Sequence, residues 1–320
     1  MRKILSLLLI LLALYGCEDR EQQKIKVAFV GKAKNSYWND IRSGAEKAAE
    51  RLGVNIDFHV PKEEDPAWQI KKIEELIKSE INAIAFAPSD SKSIAPTVLK
   101  AMQSGIPCAA IDTDVVKSRH VYIGTGNYHA GDEAGKQIEA LIPDRGKIAI
   151  LTTSTNNLDI LQRIQGFRDT MAEFEDIEII TALEKEREDI EITEIEAFLN
   201  SHNDLKGIFC ASNRCGVITA EAVENTGKTR QIKIVSIGES PEIMDKVRQG
   251  IIQTTIARKP YSIGFLTTLV LHNMVKAGIS NTLNILPKSA IIDTGIVVVT
   301  PMNILQYREN LRDLGLQVKF

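Results

Sequence analysis

One plan of strands, turns and helices runs twice through this chain, and that duplication constrains its fold more than any other feature. In the first half a predicted strand at Ile25–Val30 leads to a helix marked by Trp38, Ile41, Ala45, Ala48 and Leu52 at helical spacing and ended by Gly53. Strand Val54–Val60 and a helix through Ile70, Ile73 and Ile77 follow. Strand Ala83–Ala87 then leads to Pro88-Ser89-Asp90, a helix ended by Gly105, and strand Ile106–Ile111. The second half repeats the order from strand Lys147–Thr152, with a helix carrying Gly166-Phe167, strand Gly207–Ala211, Ser212-Asn213, a helix over Ile218–Val223, and strand Lys233–Ile237. The spacings agree closely: 17 residues from Val27 to Gly44 against 18 from Ile148 to Gly166, and 26 both from Ala83 to Ala109 and from Gly207 to Lys233. Strands alternating with helices predict parallel sheets covered on both faces by helices. The repeat predicts two similar Rossmann-like lobes. Beyond Gly238 the pattern changes to strand Ile251–Ala257, a strongly apolar helix Tyr261–Lys276, a late strand Ala290–Val299 and a terminal helix Met302–Leu314.

A chain of 320 residues can bury a full core in two domains. Its 39 basic and 42 acidic side chains leave a formal net charge of −3, which gives no electrostatic case for nucleic acid. At the N-terminus, Arg2-Lys3 precedes an apolar run, Ile4–Leu14, too short to span a membrane comfortably. The run ends Leu14-Tyr15-Gly16-Cys17 and resembles a bacterial lipoprotein signal, although Tyr15 departs from the usual small or aliphatic residue. That resemblance implies export and lipidation of Cys17, with Glu18–Lys24 as a tether on the membrane surface. Cys108, Cys210 and Cys215 show no CxxC spacing, and the five His are scattered, so neither a zinc site nor any other metal is expected. Cys108 and Cys210 sit in apolar runs and are expected to be small buried hydrophobes; whether Cys210 and Cys215 pair is left open. No P-loop, GxSxG or GxGxxG stands between a strand and a helix, so neither an enzyme nor a cofactor is expected.

The stretch Ile111–Gly131, IDTDVVKSRHVYIGTGNYHAG, links this plan to ligand binding. It places Asp112, Thr113 and Asp114 just past the carboxyl end of a buried strand, where open α/β sheets bind ligands. After a second apolar run, Gly124-Thr-Gly126-Asn127 can carry the chain into another lobe. With these pieces, VAFVGKAKNSYWNDIRSGAEKAAERLGV, INAIAFAPSDSKSI, GIPCAAIDTDV, YIGTGNYHAGDEAG, RIQGFRDTM, IFCASN, KIVSIGESPE, IIQTTIARKPYSIG and TGIVVVT, residues from about Ile25 to Val299 resemble the periplasmic sugar-binding proteins of the ribose- and galactose-binding type. The resemblance implies two lobes joined by a three-strand hinge, in the type 1 periplasmic binding protein fold. It implies a sugar or sugar derivative closed between the lobes, and delivery to an ABC permease or presentation to a sensor kinase or chemoreceptor, by a monomer. The boundaries it implies are a signal at 1–17, a tether at 18–24, an N-terminal lobe of 25–125 with 259–291, and a C-terminal lobe of 126–258 with 292–320.

Residue by residue, the resemblance carries unevenly. Asn35 matches the loop asparagine, Tyr37 and Trp38 stand for the aromatic pair, Asp112 matches the carboxylate that accepts from sugar hydroxyls, and Arg163 and Asn213 match the second-lobe ligands. Thr113 replaces an arginine of the ribose-binding members, Asp114 matches a subgroup reading Asp-Ser-Asp, Gly238 stands where an aspartate is usual, Arg258 where the hinge glutamine is usual, and Arg214 where an acidic or small residue is usual. Two outcomes stay open. The extra arginines can pair bidentately with an anionic sugar acid or phosphate; or Arg214 or Arg258 pairs with Asp112, Asp114 or Glu239, and the ligand is neutral.

Overall fold

The computed structural model describes residues 24–142, 145–152, 157–182 and 191–320. Its strands are β1 (Lys26–Val30), β2 (Asn55–His59), β3 (Ala83–Phe86), β4 (Cys108–Ile111), β5 (Val121–Gly124), β6 (Gly146–Leu151), β7 (Ile177–Ala182), β8 (Leu205–Cys210), β9 (Lys233–Ile237), β10 (Thr254–Ala257), β11 (Ile291–Asp293) and β12 (Val297–Val299). They form two six-stranded sheets, ordered β11-β5-β4-β3-β1-β2 and β12-β10-β9-β8-β6-β7. Every pairing is parallel except that of β10 with β12. The central strands are short, buried from end to end and built from residues such as Ala83-Ile-Ala-Phe86 and Cys108-Ala-Ala-Ile111, as expected of strands covered on both faces. Each sheet carries a separate apolar core on each of its faces.

The chain passes between the sheets three times: between β5 and helix α4 (Asn127–Leu141), between β10 and helix α9 (Pro260–Ala277), and between β11 and β12. The expected fold class, two α/β lobes joined by three hinge segments, is the observed one. The last crossing differs in detail from its expectation. The run Ala290–Val299 is two three-residue strands in different sheets, separated at Thr294-Gly295-Ile296, and Gly295 takes a φ of 72° that few other residues adopt.

Helix α1 (Ser36–Leu52) packs on α9 in the first lobe, and α4 on α5 (Leu158–Met171) in the second. Both contacts bring backbone against backbone through a pair of glycines. A Cβ on Gly44 would fall 2.0 Å from the Tyr261 carbonyl oxygen, and one on Gly264 1.9 Å from that of Ile41. In the second lobe a Cβ on Gly166 would fall 2.0 Å from the Tyr128 carbonyl oxygen, and one on Gly131 1.9 Å from that of Arg163. Such distances exclude any side chain, so α4 and α9, which begin directly after two of the crossings, are held fixed against α5 and α1. Cys108, Cys210 and Cys215 are buried and free. Among the described residues no helix is long and apolar enough to cross a membrane. Cys17 and the rest of the expected signal lie outside them.

Candidate functional site

A cleft of about 1130 Å³ lies between the lobes, just above the ~300–1,000 Å³ usual for small-molecule sites. Its walls are the carboxyl ends of β1, β4, β9 and β10, the first turns of α1 and α5, Asn213 after β8, and the C-terminal segment 315–320. Helix starts come here because Asn35 and Asn157 cap them. The Asn35 side chain accepts from the Trp38 N–H, and Asn157 accepts from the N–H groups of Asp159 and Ile160. The capping places Tyr37 and Trp38 on one wall and Asp159, Ile160 and Arg163 on the other. Trp38 is only 3 % exposed and also fills the core beneath α1, so it serves packing as well as the cleft.

Asp112 is the centre of the floor. Its backbone takes a φ of 63°, in the left-handed region, and the Thr113 N–H closes a three-residue turn onto the Ile111 carbonyl at 2.7 Å. Few non-glycine residues accept this conformation, Asp among them, and the turn is pinned by the Tyr122 hydroxyl, which donates to the Asp112 carbonyl at 2.7 Å. The carboxylate accepts from the Tyr37 hydroxyl at 2.6 Å, lies 3.1 Å from the Lys32 ammonium, and accepts from Arg258 Nη1 at 3.3 Å. Burial alone would raise its pKa; the two cations and the hydrogen bonds outweigh burial and hold it at about 2. Asp112 is therefore ionised at any working pH. Lys32 shows the reciprocal effect: burial would lower its pKa, but Asp112 and Asp159 raise it.

Arg258 reaches the cleft from the second crossing. Its guanidinium forks onto Glu239, with Nη2 to Oε1 at 2.6 Å and Nε to Oε2 at 3.1 Å, and lies 4.1 Å from the centre of the Tyr37 ring. Arg163 donates from Nε to Asn127 Oδ1 at 2.8 Å and from Nη1 to the Ala211 carbonyl at 3.1 Å. Asp159 accepts from the Thr113 hydroxyl and, at 3.3 Å, from Asn127 Nδ2. Burial raises the pKa of Asp159. Asp40 is pushed up to about 6, by burial first and then by Glu239 on the facing lobe.

Of the residues singled out in the sequence, Asn35, Tyr37, Trp38, Asp112, Arg163, Asn213 and Arg258 line this cleft. The other four lie outside its lining. Asp114 is held by Arg119, whose Nη2 donates to it at 2.9 Å, and faces away. Arg214 is exposed to solvent. Gly238 lies behind Asn213: a Cβ there would fall 2.4 Å from Asn213 Oδ1. Thr113 is buried behind Asp112, between Lys32 and Asp159. Sequence reasoning missed Lys32, Asn157 and Asp159 as site residues, and it named Glu239 only as a candidate partner for an arginine, the pairing that Arg258 makes. Asn157 and Asp159 were findable, because they stand 122 residues after Asn35 and Tyr37, the offset that also relates Gly44 to Gly166. Among the described residues no group of acidic, His and Cys side chains could hold a metal ion.

Comparison with known proteins gives the same frame. The "D-allose-binding periplasmic protein" of Escherichia coli K12 is 27 % identical over 274 residues, covering 82 % of this chain and 88 % of that one. The "D-ribose/D-allose-binding protein" of Pseudomonas aeruginosa is 25 % identical over 266 residues, covering 78 % and 82 %. A solved ABC transporter solute-binding protein from Burkholderia graminis, in complex with D-arabinose, superposes with a TM-score of 0.80 at 27 % identity, covering 90 % of this chain and 99 % of that one. These relatives are binding proteins and not enzymes. Residues 27–279 match the periplasmic binding protein domain family, to which this chain therefore belongs.

Proposed function

We propose that the chain captures a neutral aldose, a pentose or hexose, between its lobes outside the cytoplasm and delivers it to an ABC permease. The charge pairing around Asp112 carries this reading. Among the described residues the cleft is lined by four cationic side chains (Lys32, Arg163, Arg258 and Lys319) and six acidic ones (Asp40, Glu64, Asp112, Asp159, Glu239 and Glu242). The Arg258 fork is already occupied by Glu239 and Asp112, and that of Arg163 by Asn127 and the Ala211 carbonyl. A sugar acid or phosphate would have to displace those partners and face an excess of carboxylates. A neutral sugar instead offers hydroxyl donors to the carboxylates and apolar C–H edges to the Tyr37 and Trp38 rings. The names of the relatives, which bind allose, ribose and arabinose, point the same way.

The test is a thermal-shift and calorimetric screen of D-allose, D-ribose, D-arabinose and D-xylose against the matching sugar acids and phosphates. A neutral sugar is expected to raise Tm with concentration and the anions to do nothing; an acid or phosphate as the tightest binder overturns the neutral-ligand reading. In cells, deleting the gene is expected to abolish uptake of that sugar. Unchanged uptake would leave the chain a sensing subunit that shows its closed form to a kinase or chemoreceptor. Lipid anchoring belongs to the same proposal, and mass spectrometry is expected to find acyl chains on Cys17.

A further inference from the structure

We propose that Thr113 and Asp159 form a latch between the lobes that sets the affinity for every ligand by the same factor while Thr113 itself touches none. Thr113 follows β4 in the first lobe, and Asp159 lies in the first turn of α5 in the second. Both are 6 % exposed, and the Thr113 hydroxyl meets Asp159 Oδ2 at 2.5 Å. The direction of the chain is fixed by chemistry. A lysine ammonium can only donate and a carboxylate only accept, so Lys32 donates to Thr113 at 2.6 Å and Thr113 donates onward to Asp159. The other carboxylate oxygen of Asp159 is held by Asn127, which opens α4 immediately after the first crossing. The hydrogen bond thus spans the lobes beside the hinge, and separating the lobes there must break it.

The repeat supplies a second argument. Asp159 occupies in the second lobe the position that Tyr37 holds in the first, 122 residues earlier. Tyr37 donates to Asp112 within its own lobe, whereas Asp159 accepts from the opposite one. Because Thr113 lies outside the cleft lining, its contribution acts on the closed fraction alone. A ligand that binds the closed form has an apparent Kd equal to the intrinsic value divided by that fraction. Weakening the latch therefore multiplies all Kd values alike, mainly through faster dissociation.

This inference rests on the reading that the lobes close on a small ligand, and one arm of its test needs no ligand. In sugar-free protein, Thr113→Val is expected to raise the radius of gyration measured by small-angle scattering, because the open form gains population. In calorimetry, Kd should rise by one common factor, about tenfold to about a hundredfold for a lost hydrogen bond to a charged group, across every sugar that binds the native chain. Thr113→Ser, which keeps the hydroxyl, should restore both readouts. If Thr113→Val does not fold, Asp159→Asn is measured in the same way and should open the sugar-free protein. An unchanged radius of gyration, or a Kd change confined to one sugar, overturns the latch. If no sugar binds but Thr113→Val still opens the protein, the latch stands and the aldose reading falls.

Discussion

The two lobes share a backbone plan and differ in what they show the cleft. At one offset, Asn35 and Asn157 cap helices, and Gly44 and Gly166 let those helices touch a second helix backbone. The Tyr-x-x-Gly sequences at Tyr261–Gly264 and Tyr128–Gly131 supply the second helix in each case. Scaffold positions are thus the same. The residues between them are not: Tyr37 and Trp38 of the first lobe face Asp159 and Ile160 of the second, and the core residue Ile41 is replaced by Arg163. The strand ends diverge in the same manner. Asp112 forms the floor in the first lobe, whereas the second has Gly238 at the matching turn and places its carboxylate one residue later, on Glu239. One frame thus carries an aromatic wall and a charged wall. A ligand with apolar edges and polar rims needs both.

The largest effects are expected where the lobes agree. Gly44→Ala and Gly166→Ala each push a Cβ into a backbone oxygen that cannot rotate away. Each should lower stability by about 3 kcal/mol or more, the upper end of the usual cost of overpacking, read as a shift of the urea midpoint. Similar losses at the two sites would support the shared scaffold. A loss below about 1 kcal/mol at either would show that its helix pair has room to part, and the equivalence would fail there.

Effects on binding should follow where the lobes differ. Asp112→Asn leaves Lys32 and Arg258 facing each other with one countercharge fewer. A neutral sugar would lose one hydrogen bond to a charged acceptor, ~1.5–3 kcal/mol, roughly tenfold to a hundredfold in affinity. Arg258→Gln should be milder for a neutral sugar, about tenfold, because Lys32 still compensates Asp112 while Glu239 loses its fork. Calorimetry on both variants decides the order. If Arg258→Gln harms binding more than Asp112→Asn, the floor of the cleft belongs to the hinge arginine and not to the first lobe.

Much of this was legible in the sequence, and the exceptions have physical causes. Strand ends, turn residues and helical spacing mark the lobes because buried parallel strands read as uninterrupted apolar runs. The third crossing was not separable from a single strand, because Ile291-Ile292 and Ile296–Val299 are equally apolar and only the short Asp293-Thr294-Gly295 interrupts them. Lys32 and Asp159 read as ordinary solvated charges, since nothing local distinguishes a lysine after a strand or an acid in a first helical turn. Their burial is created by the opposite lobe, which no local pattern records. Arg214 and Asp114 illustrate the converse: they share strand ends with site residues, but the turn geometry sends one to solvent and the other to Arg119.

The smallest effect should come from Asp40, a carboxyl of the first lobe whose ionisation is opposed by the second. Burial and Glu239 raise its pKa to about 6, and Tyr307 stands near both carboxyls. An acid with a raised folded pKa is protonated in the folded chain while the unfolded chain has already released its proton. The folded state therefore holds more protons between about pH 4 and pH 6, and stability falls as pH rises through that window and stays lower above it. A displacement of that size corresponds to at most about 3 kcal/mol, and solvent reaching the carboxyl reduces the expected effect to roughly 1–2 kcal/mol. Asp40→Asn, which resembles the protonated acid, should raise Tm at pH 7.5 and leave it unchanged near pH 4. Because Glu239 faces Asp40 only while the lobes are together, the same substitution should also flatten the loss of sugar affinity between pH 5 and pH 7.5. A Tm gain of equal size at both pH values would trace to packing and not to charge, and the two lobes would then not oppose each other at this position.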